Sequence, residues 1–141
     1  MGSEDARPLL SSLTFQARTY DIDFAGIVSN IVYVRWLEDL RGQMLAEHYP
    51  VETMRATGVG PVLRHTDIHY RQALRLDDRP LGRMWVAETR RTRWVLQAEL
   101  LLSGVVVCDA RQTGAFVDYA RMRPVPVPES LRRALEAAGA A

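Results

Sequence analysis

The feature that most restricts the fold of this 141-residue sequence is one long segment with helical periodicity. Within residues 30–48 the large apolar side chains recur every three or four positions, so they fall within about a 100° sector of a helical wheel. This face consists of Tyr33, Trp36, Leu37, Leu40 and Met44. A helix with so broad an apolar face must be covered, so the rest of the chain has to supply a surface that wraps it.

Alternating apolar and polar residues predict β-strands in most of the remaining chain. The predicted strands span residues 13–20, 62–72, 81–90, 93–102 and 105–118. Ser103-Gly104 predicts a two-residue hairpin turn between the last two strands, and residues 50–61 are expected to be a connector. A short last helix, ESLRRALEAA, is predicted directly after Pro128.

This order of elements, a strand, a long helix and then four antiparallel strands, predicts an α+β fold. The length fits a single domain that covers residues 1–141. One helix covers only one face of a five-stranded sheet, so the other face and the sheet edges would stay open in a monomer. We therefore expect the protein to form an oligomer.

The composition excludes several classes of function. A net charge of +1 gives no global argument for binding nucleic acid, and no apolar run approaches the roughly 18–20 residues that span a bilayer. The start, MGSEDARPLL, lacks the long apolar stretch of a signal peptide, so the cytoplasm is the expected compartment. All 18 basic residues are arginine, which excludes a Schiff-base lysine.

The stretch from Asp21 to Gly26, D-x-D-x-x-G, directly precedes the predicted long helix. Such aspartates are often turn and capping residues, but a carboxylate at a helix start can also attack a thioester or deprotonate a water. Helix N-terminal amides can hold the developing oxyanion, and a glycine lets the substrate approach the backbone closely. The stretch is therefore sufficient for transfer of an acyl group to water, by either route.

Other candidate sites are weaker. His65, Asp67 and His69 alternate along one predicted strand, where they spread too widely to converge on a metal ion, so we expect solvent or dimer contacts there. Cys108, the one cysteine, excludes an internal disulfide and is expected to be an inert core thiol. No G-x-S-x-G motif is present, so a serine-hydrolase elbow is absent.

The region around the helix start fits a longer motif, D-x-D-x-x-G-x-V-x-N-x-x-Y-x-x-W-x-E-x-x-R. Its positions are occupied by Asp21, Asp23, Gly26, Val28, Asn30, Tyr33, Trp36, Glu38 and Arg41. With this motif the sequence resembles the 4-hydroxybenzoyl-CoA thioesterase and YbgC-like acyl-CoA thioesterase family of hotdog-fold proteins, over about residues 13–135. The basic cluster ETRRTRW (88–94) and the run RMRPVPVPESL are also similar to segments of that family.

The resemblance implies a long central helix wrapped by a five-stranded antiparallel sheet, in units that pair edge to edge and share two active sites. It implies that Asp23 acts on the thioester and that a backbone N–H near Asn30 polarises the carbonyl group. Arg90 and Arg91 match the residues that meet the phosphates of coenzyme A. Gly26 and Tyr33 are further candidates for contact with the substrate, although the spacing of Tyr33 also fits a core position.

The motif and the resemblance together predict a homodimeric or homotetrameric acyl-CoA thioesterase without a metal or cofactor. One alternative is a thioesterase that acts on an acyl carrier protein in lipid or polyketide synthesis, and another is a non-catalytic acyl-CoA binding module. A hotdog dehydratase is a third, but it would need a histidine near the helix start, and residues 20–34 contain none.

Overall fold

The structure is a computed structural model that describes residues 7–139. Residues 1–6 and 140–141 of the predicted domain lie outside this range. Most of the segment MGSEDARPLL, for which we expect no signal peptide, therefore lies outside the described residues. The elements, in chain order, are β1 (Ser11–Thr14), a 3-10 turn (Thr19–Asp21), α1 (Asn30–His48), α2 (Val51–Thr57), β2 (Val59–Tyr70), β3 (Leu81–Thr89), β4 (Arg93–Leu102), β5 (Val105–Asp118), β6 (Arg123–Pro124) and α3 (Glu129–Ala137).

The strands form one antiparallel sheet in the order β1-β3-β4-β5-β2, and the two-residue β6 adds to β5. The α+β class is therefore confirmed, and β6 extends the five predicted strands to six. The predicted turn is also present, because Ser103 and Gly104 both adopt left-handed conformations between β4 and β5. In the described part of the chain, no helix has the length and apolar character needed to cross a membrane.

Helix α1 has the predicted bounds and buries the predicted face. It packs against β1 and β3. Its buried side chains are Val32, Tyr33, Trp36, Leu37, Leu40 and Met44. Trp36 stacks on Phe15 with 5.0 Å between ring centroids. Burial of each large apolar side chain contributes about 1.5–3 kcal/mol, so this contact is a main source of stability.

The first strand is shorter than predicted. Residues 13–20 were expected to be extended and paired, but β1 ends at Thr14, opposite Leu81, where β3 begins. Phe15 and Ala17 continue the alternation because they are buried in the core, not because they pair with a strand. The alternation of apolar and polar residues in the sequence indicates which side chains are buried. Where β1 stops pairing is determined by the end of its partner strand, β3.

The connector predicted over residues 50–61 instead contains α2 and the start of β2. Pro50 precedes the helix, and Gly58 ends it in the left-handed conformation, with its N–H donating to the Met54 carbonyl. The seven residues of α2 bury no side chain, so they show no apolar periodicity by which a helix would be predicted.

The sheet face turned away from α1 carries a cluster of charged residues. Glu99 accepts hydrogen bonds from Arg83 at 2.6 Å and from Arg7 at 3.2 Å. The Arg7 guanidinium also lies 4.1 Å from the Trp85 ring centroid, a cation–π contact. These charged groups are compatible with contact to water at this part of the face.

The edge formed by β2 is different. This strand has 12 residues and lies at the end of the sheet order, so only β5 pairs with it among the described residues. A long edge strand exposes a row of backbone N–H and C=O groups that can pair with another chain. The argument for an oligomer therefore concerns the β2 edge.

Two glycines allow a test of the contact between α1 and the sheet. A Cβ atom added at Gly82 would lie 2.5 Å from Phe15 Cε2 and 3.1 Å from the side chains of Leu40 and Leu100. We expect Gly82→Ala to lower the free energy of unfolding by about 1–3 kcal/mol, because this site is already filled. Gly42→Ala, in α1 with no atom within 4 Å of its Cβ, should raise it by about 0.5–1 kcal/mol.

Urea unfolding of the two variants and the parent protein measures both effects. A stabilised Gly82→Ala variant would show that α1 does not press on β3 at this position.

Candidate active site

The residues before α1 form a small hairpin that positions Asp23. Ile22 and Val28 form an antiparallel bridge, and the Asp23 N–H donates to the Ile27 carbonyl at 2.9 Å. The Gly26 N–H closes the turn on the Asp23 carbonyl at 3.0 Å, with Gly26 at φ 79°. A residue with a side chain would be strained there, so glycine at this position is required by the turn.

The Asp23 carboxylate is held by one of its two oxygens. Oδ1 accepts hydrogen bonds from the backbone N–H groups of Ala25, at 2.8 Å, and Ile27, at 3.5 Å. No donor among the described residues bonds to Oδ2, and the side chain is half-buried. The carboxylate is thus oriented by the turn and keeps one oxygen for a substrate or a water.

Asp21 has a different environment. It is buried, its Oδ2 accepts from the Arg18 N–H at 2.8 Å, and its Oδ1 lies 3.6 Å from the Arg35 guanidinium. Its backbone carbonyl accepts from the Ser29 N–H at 2.8 Å. These bonds tie the loop to the start of α1, so Asp21 is a structural residue of the loop.

The N-terminus of α1 has open hydrogen-bonding capacity. Ser29 occupies the N-cap position, but no side chain of the described residues caps the helix, and the first turn contains no acidic residue. The backbone N–H groups at Asn30 and Ile31 therefore keep their hydrogen bonds for another acceptor. Together with the positive end of the helix dipole, they favour a negative charge at this point.

A cavity of about 320 Å³ brings these groups together. Its lining residues are Asp23, Ile27, Val28, Asn30, Tyr33, Tyr70, Arg71, Gln72 and Ala73. Three of the site residues predicted from the sequence, Asp23, Asn30 and Tyr33, therefore share one cavity. Gly26 shapes the adjoining turn and does not line the cavity itself.

Two tyrosines form one wall of the cavity. Tyr33 on α1 and Tyr70 at the end of β2 meet edge to face, with 5.0 Å between ring centroids. Burial, and secondarily the nearby Cys108, raises the pKa of Tyr33 to about 12. The phenol is therefore neutral near pH 7, and Tyr33 is both a core residue and a cavity residue, which the sequence presented as alternatives.

Arg71 is a cavity residue that the sequence did not single out. It directly follows β2, and its Nε donates to the Asp109 carboxylate on β5, which is the main cause of its raised pKa. It belongs to no motif, and its place in the cavity depends on where β2 ends, so sequence reasoning had no signal for it.

The predicted coenzyme contacts lie elsewhere. Arg90 and Arg91 are exposed at the hairpin between β3 and β4, and Arg90 pairs with Glu88 at 2.9 Å. Neither lines the cavity of Asp23. The structure therefore does not bring these arginines and the carboxylate together within one protomer.

The strand register gives the distance between the hairpin with Arg90 and Arg91 and the cavity of Asp23. Arg93, next to this hairpin, pairs with Ala115, which pairs with Val62 near the start of β2. Tyr70, at the cavity, lies eight residues further along β2. At about 3.3 Å per residue the two sites are about 26 Å apart along the strand.

The remaining sequence candidates take no part in this cavity. His65, Asp67 and His69 lie exposed on β2, and within residues 7–139 no group of three potential ligands is placed to hold a metal ion. Cys108 is buried, and burial raises the pKa of its thiol to about 12, which fits an inert thiol.

Comparisons with known proteins agree with this architecture. No curated protein matches the sequence significantly. A probable thioesterase, YbaW from Escherichia coli, superposes with a TM-score of 0.80 at 24% identity over 89% of this chain and 96% of its own. Slr0204, a 1,4-dihydroxy-2-naphthoyl-CoA thioesterase from Synechocystis, superposes with a TM-score of 0.79 at 16% identity over 89% of this chain and 95% of its own. The hypothetical protein SAV2348 from Staphylococcus aureus, solved in complex with CoA, superposes with a TM-score of 0.86 at 14% identity over 94% of this chain and 85% of its own.

These similarities confirm the hotdog fold. The model of one family, the thioesterase-like superfamily, matches residues 17–135, which is most of the chain and includes the whole cavity. The chain therefore belongs to the thioesterase-like superfamily, whose chemistry is the hydrolysis of thioesters.

Proposed function

We propose that the protein hydrolyses an acyl-CoA thioester to the free acid and coenzyme A. The observation that carries the proposal is that one cavity holds both the Asp23 carboxylate and the uncapped N-terminus of α1. A thioester carbonyl needs one nucleophile or base and one oxyanion site, and the cavity contains one candidate for each.

In this mechanism the thioester oxygen binds the backbone N–H groups near Asn30, which stabilise negative charge as the carbonyl carbon becomes tetrahedral. Asp23 either attacks that carbon or removes a proton from an attacking water. The carbon–sulfur bond then breaks, and the thiolate of coenzyme A takes up a proton. In the first route a water hydrolyses the resulting anhydride and restores the carboxylate.

Coenzyme A is the proposed carrier because of two similar structures. SAV2348 was solved in complex with CoA, and Slr0204 is a thioesterase for an aromatic acyl-CoA. The neutral, apolar wall formed by Tyr33 and Tyr70 is compatible with a small or aromatic acyl group in a cavity of about 320 Å³.

The distance between Asp23 and Arg90 favours a site shared by two protomers. Two copies that pair through β2 about a two-fold axis would place these strands antiparallel, with the start of one beside the end of the other. The hairpin with Arg90 and Arg91 of one protomer would then lie on the side of the Asp23 cavity of the other. The pantetheine arm of the coenzyme would span from the thioester to these arginines.

The central test is Asp23→Asn, assayed by thiol release with short, long and aromatic acyl-CoA substrates. Asparagine keeps the size and can still accept the turn hydrogen bond, but it cannot take a proton or attack a carbonyl. We expect kcat to fall at least about a hundredfold, with little change in melting temperature.

Asp21→Asn is the matched control. Because Asp21 is buried and holds the loop, this change should lower the melting temperature and leave much more activity than Asp23→Asn. If Asp23→Asn keeps more than about a tenth of the turnover, or if Asp21→Asn is the inactive variant, the assignment of the carboxylate is wrong.

The shared site also predicts that the protein is an obligate oligomer. Sedimentation at micromolar concentration should show a dimer or tetramer and no monomer, because β2 exposes a 12-residue edge. An active monomer in the same experiment would contradict both the pairing and the role of the second protomer.

For Arg90 and Arg91 we expect an effect on binding. Replacing both with alanine should raise KM for an acyl-CoA more than it lowers kcat, because phosphate contacts bind substrate and transition state alike. The effect should shrink at high salt. The thioester of pantetheine, which lacks the nucleotide, is the control: an equal loss with it would exclude contact with the nucleotide phosphates.

A further inference from the structure

The backbone at the start of α1 supplies only part of an oxyanion site to the cavity. Two residues there, Asn30 and Ile31, have unpaired N–H groups, but of the two only Asn30 lines the cavity. Sites that stabilise the oxyanion of an acyl transfer combine several donors, from the backbone or from side chains. A second donor beside Asn30 would therefore have to come from a side chain of the cavity lining.

Tyr33 is a buried polar residue of this lining. Only 4% of it is exposed, whereas the uncharged donors Asn30, Tyr70 and Gln72 of the same lining are exposed residues. Its ring meets Tyr70 edge to face at 5.0 Å and Trp36 at 5.7 Å between centroids. A side chain that is packed in this way keeps its hydroxyl group in one position, as preorganised stabilisation of charge requires.

The phenol group of Tyr33 lies near the start of α1. Helical side chains lean towards the N-terminus of their helix, so a residue in the first turn reaches back towards the helix start. The Leu74 backbone hydrogen-bonds to the phenol group, and the Leu74 carbonyl accepts from the Val28 N–H at 2.8 Å. Val28 precedes the helix by two residues and also lines the cavity. These contacts place the hydroxyl group beside the segment that leads into the helix.

The hydrogen bond with Leu74 leaves the hydroxyl proton of Tyr33 available. Burial raises the pKa of Tyr33 to about 12, and the Leu74 backbone acts against this rise. A hydrogen bond that lowers the pKa favours the phenolate, so the Leu74 N–H is the donor and the phenol oxygen accepts. Within residues 7–139 no acceptor takes the hydroxyl proton. A phenol that accepts one hydrogen bond is also polarised to donate another.

We propose that the Tyr33 hydroxyl group donates a hydrogen bond to the thioester carbonyl oxygen and completes the oxyanion site with the backbone N–H of Asn30. The proposal rests on the proposed function and adds a residue to its mechanism. The hydrogen bond strengthens as negative charge develops on the oxygen, so it lowers the barrier more than it aids binding. The proton stays on the phenol throughout, and Asp23 keeps the part of nucleophile or base.

The first test is Tyr33→Phe, which removes the hydroxyl group and keeps the ring. With acetyl-, octanoyl- and benzoyl-CoA as substrates, we expect kcat to fall at least about tenfold for each one that the parent protein hydrolyses. KM should change much less, because the contact is made mainly in the transition state. The melting temperature should fall, since the Leu74 N–H loses its acceptor, so both proteins are assayed well below it.

Tyr20→Phe is the matched control, because it removes the hydroxyl group of an exposed tyrosine that does not line the cavity. It should leave kcat unchanged. If Tyr33→Phe keeps its full kcat, or if it changes KM alone, the hydroxyl group does not stabilise the transition state and the proposal is overturned.

A spectroscopic measurement separates the proposal from a merely structural role of Tyr33 and from the proposed function. Ketone analogues of the three substrates, in which a methylene group replaces the sulfur, cannot be hydrolysed. Their carbonyl stretch, identified by an isotope label on the carbonyl carbon, moves to lower frequency when the oxygen accepts hydrogen bonds. For a bound ketone it should lie lower in the parent protein than in Tyr33→Phe.

Equal frequencies in the two proteins would overturn the role of Tyr33 even if thioesters are hydrolysed. A parent protein that binds none of the three ketones would overturn the proposed function together with it.

Discussion

The burial of one face of α1 is the interaction on which the rest of the structure depends. Leu40 and Met44 are almost completely inaccessible, and Phe15 and Trp36 stack at the edge of the same contact. Because the helix is fixed along its length, its N-terminus is also fixed, and the unpaired amide groups there keep a constant position relative to the hairpin that carries Asp23. The packing of the core and the geometry of the candidate site therefore have one cause.

The same contact explains which parts of the fold were predictable. Helix α1 and strands β4 and β5 have the predicted bounds, because their periodicity reflects burial in the hydrophobic core. Strand β1 ended early and α2 was missed, because strand pairing and short exposed helices leave no periodic pattern. In the site, the motif predicted the positions of Asp23, Asn30 and Tyr33. Arg71 lines the cavity only because β2 ends beside it, which no motif indicates.

The two faces and the β2 edge of the sheet differ in what they offer a second subunit. One face is filled by α1, and the other carries the ion pairs of Glu99 with Arg83 and Arg7. Covering those charges would require desolvating them, which is costly unless every group is paired again. The β2 edge has the opposite property, since its backbone groups gain hydrogen bonds when a second strand pairs with them. The physical chemistry therefore favours association through the edge over stacking of the sheets.

Asp21 and Asp23 show how position decides the use of one residue type. Both carboxylate oxygens of Asp21 have partners in the protein, the Arg18 backbone N–H and the Arg35 guanidinium, so this residue stabilises the loop. Asp23 anchors one oxygen in the turn that Gly26 makes possible, and no donor in the described part of the chain bonds to the other oxygen. A carboxylate that is oriented yet incompletely bonded is the one that can act on a bound carbonyl group, because attack requires both a fixed direction and a free lone pair.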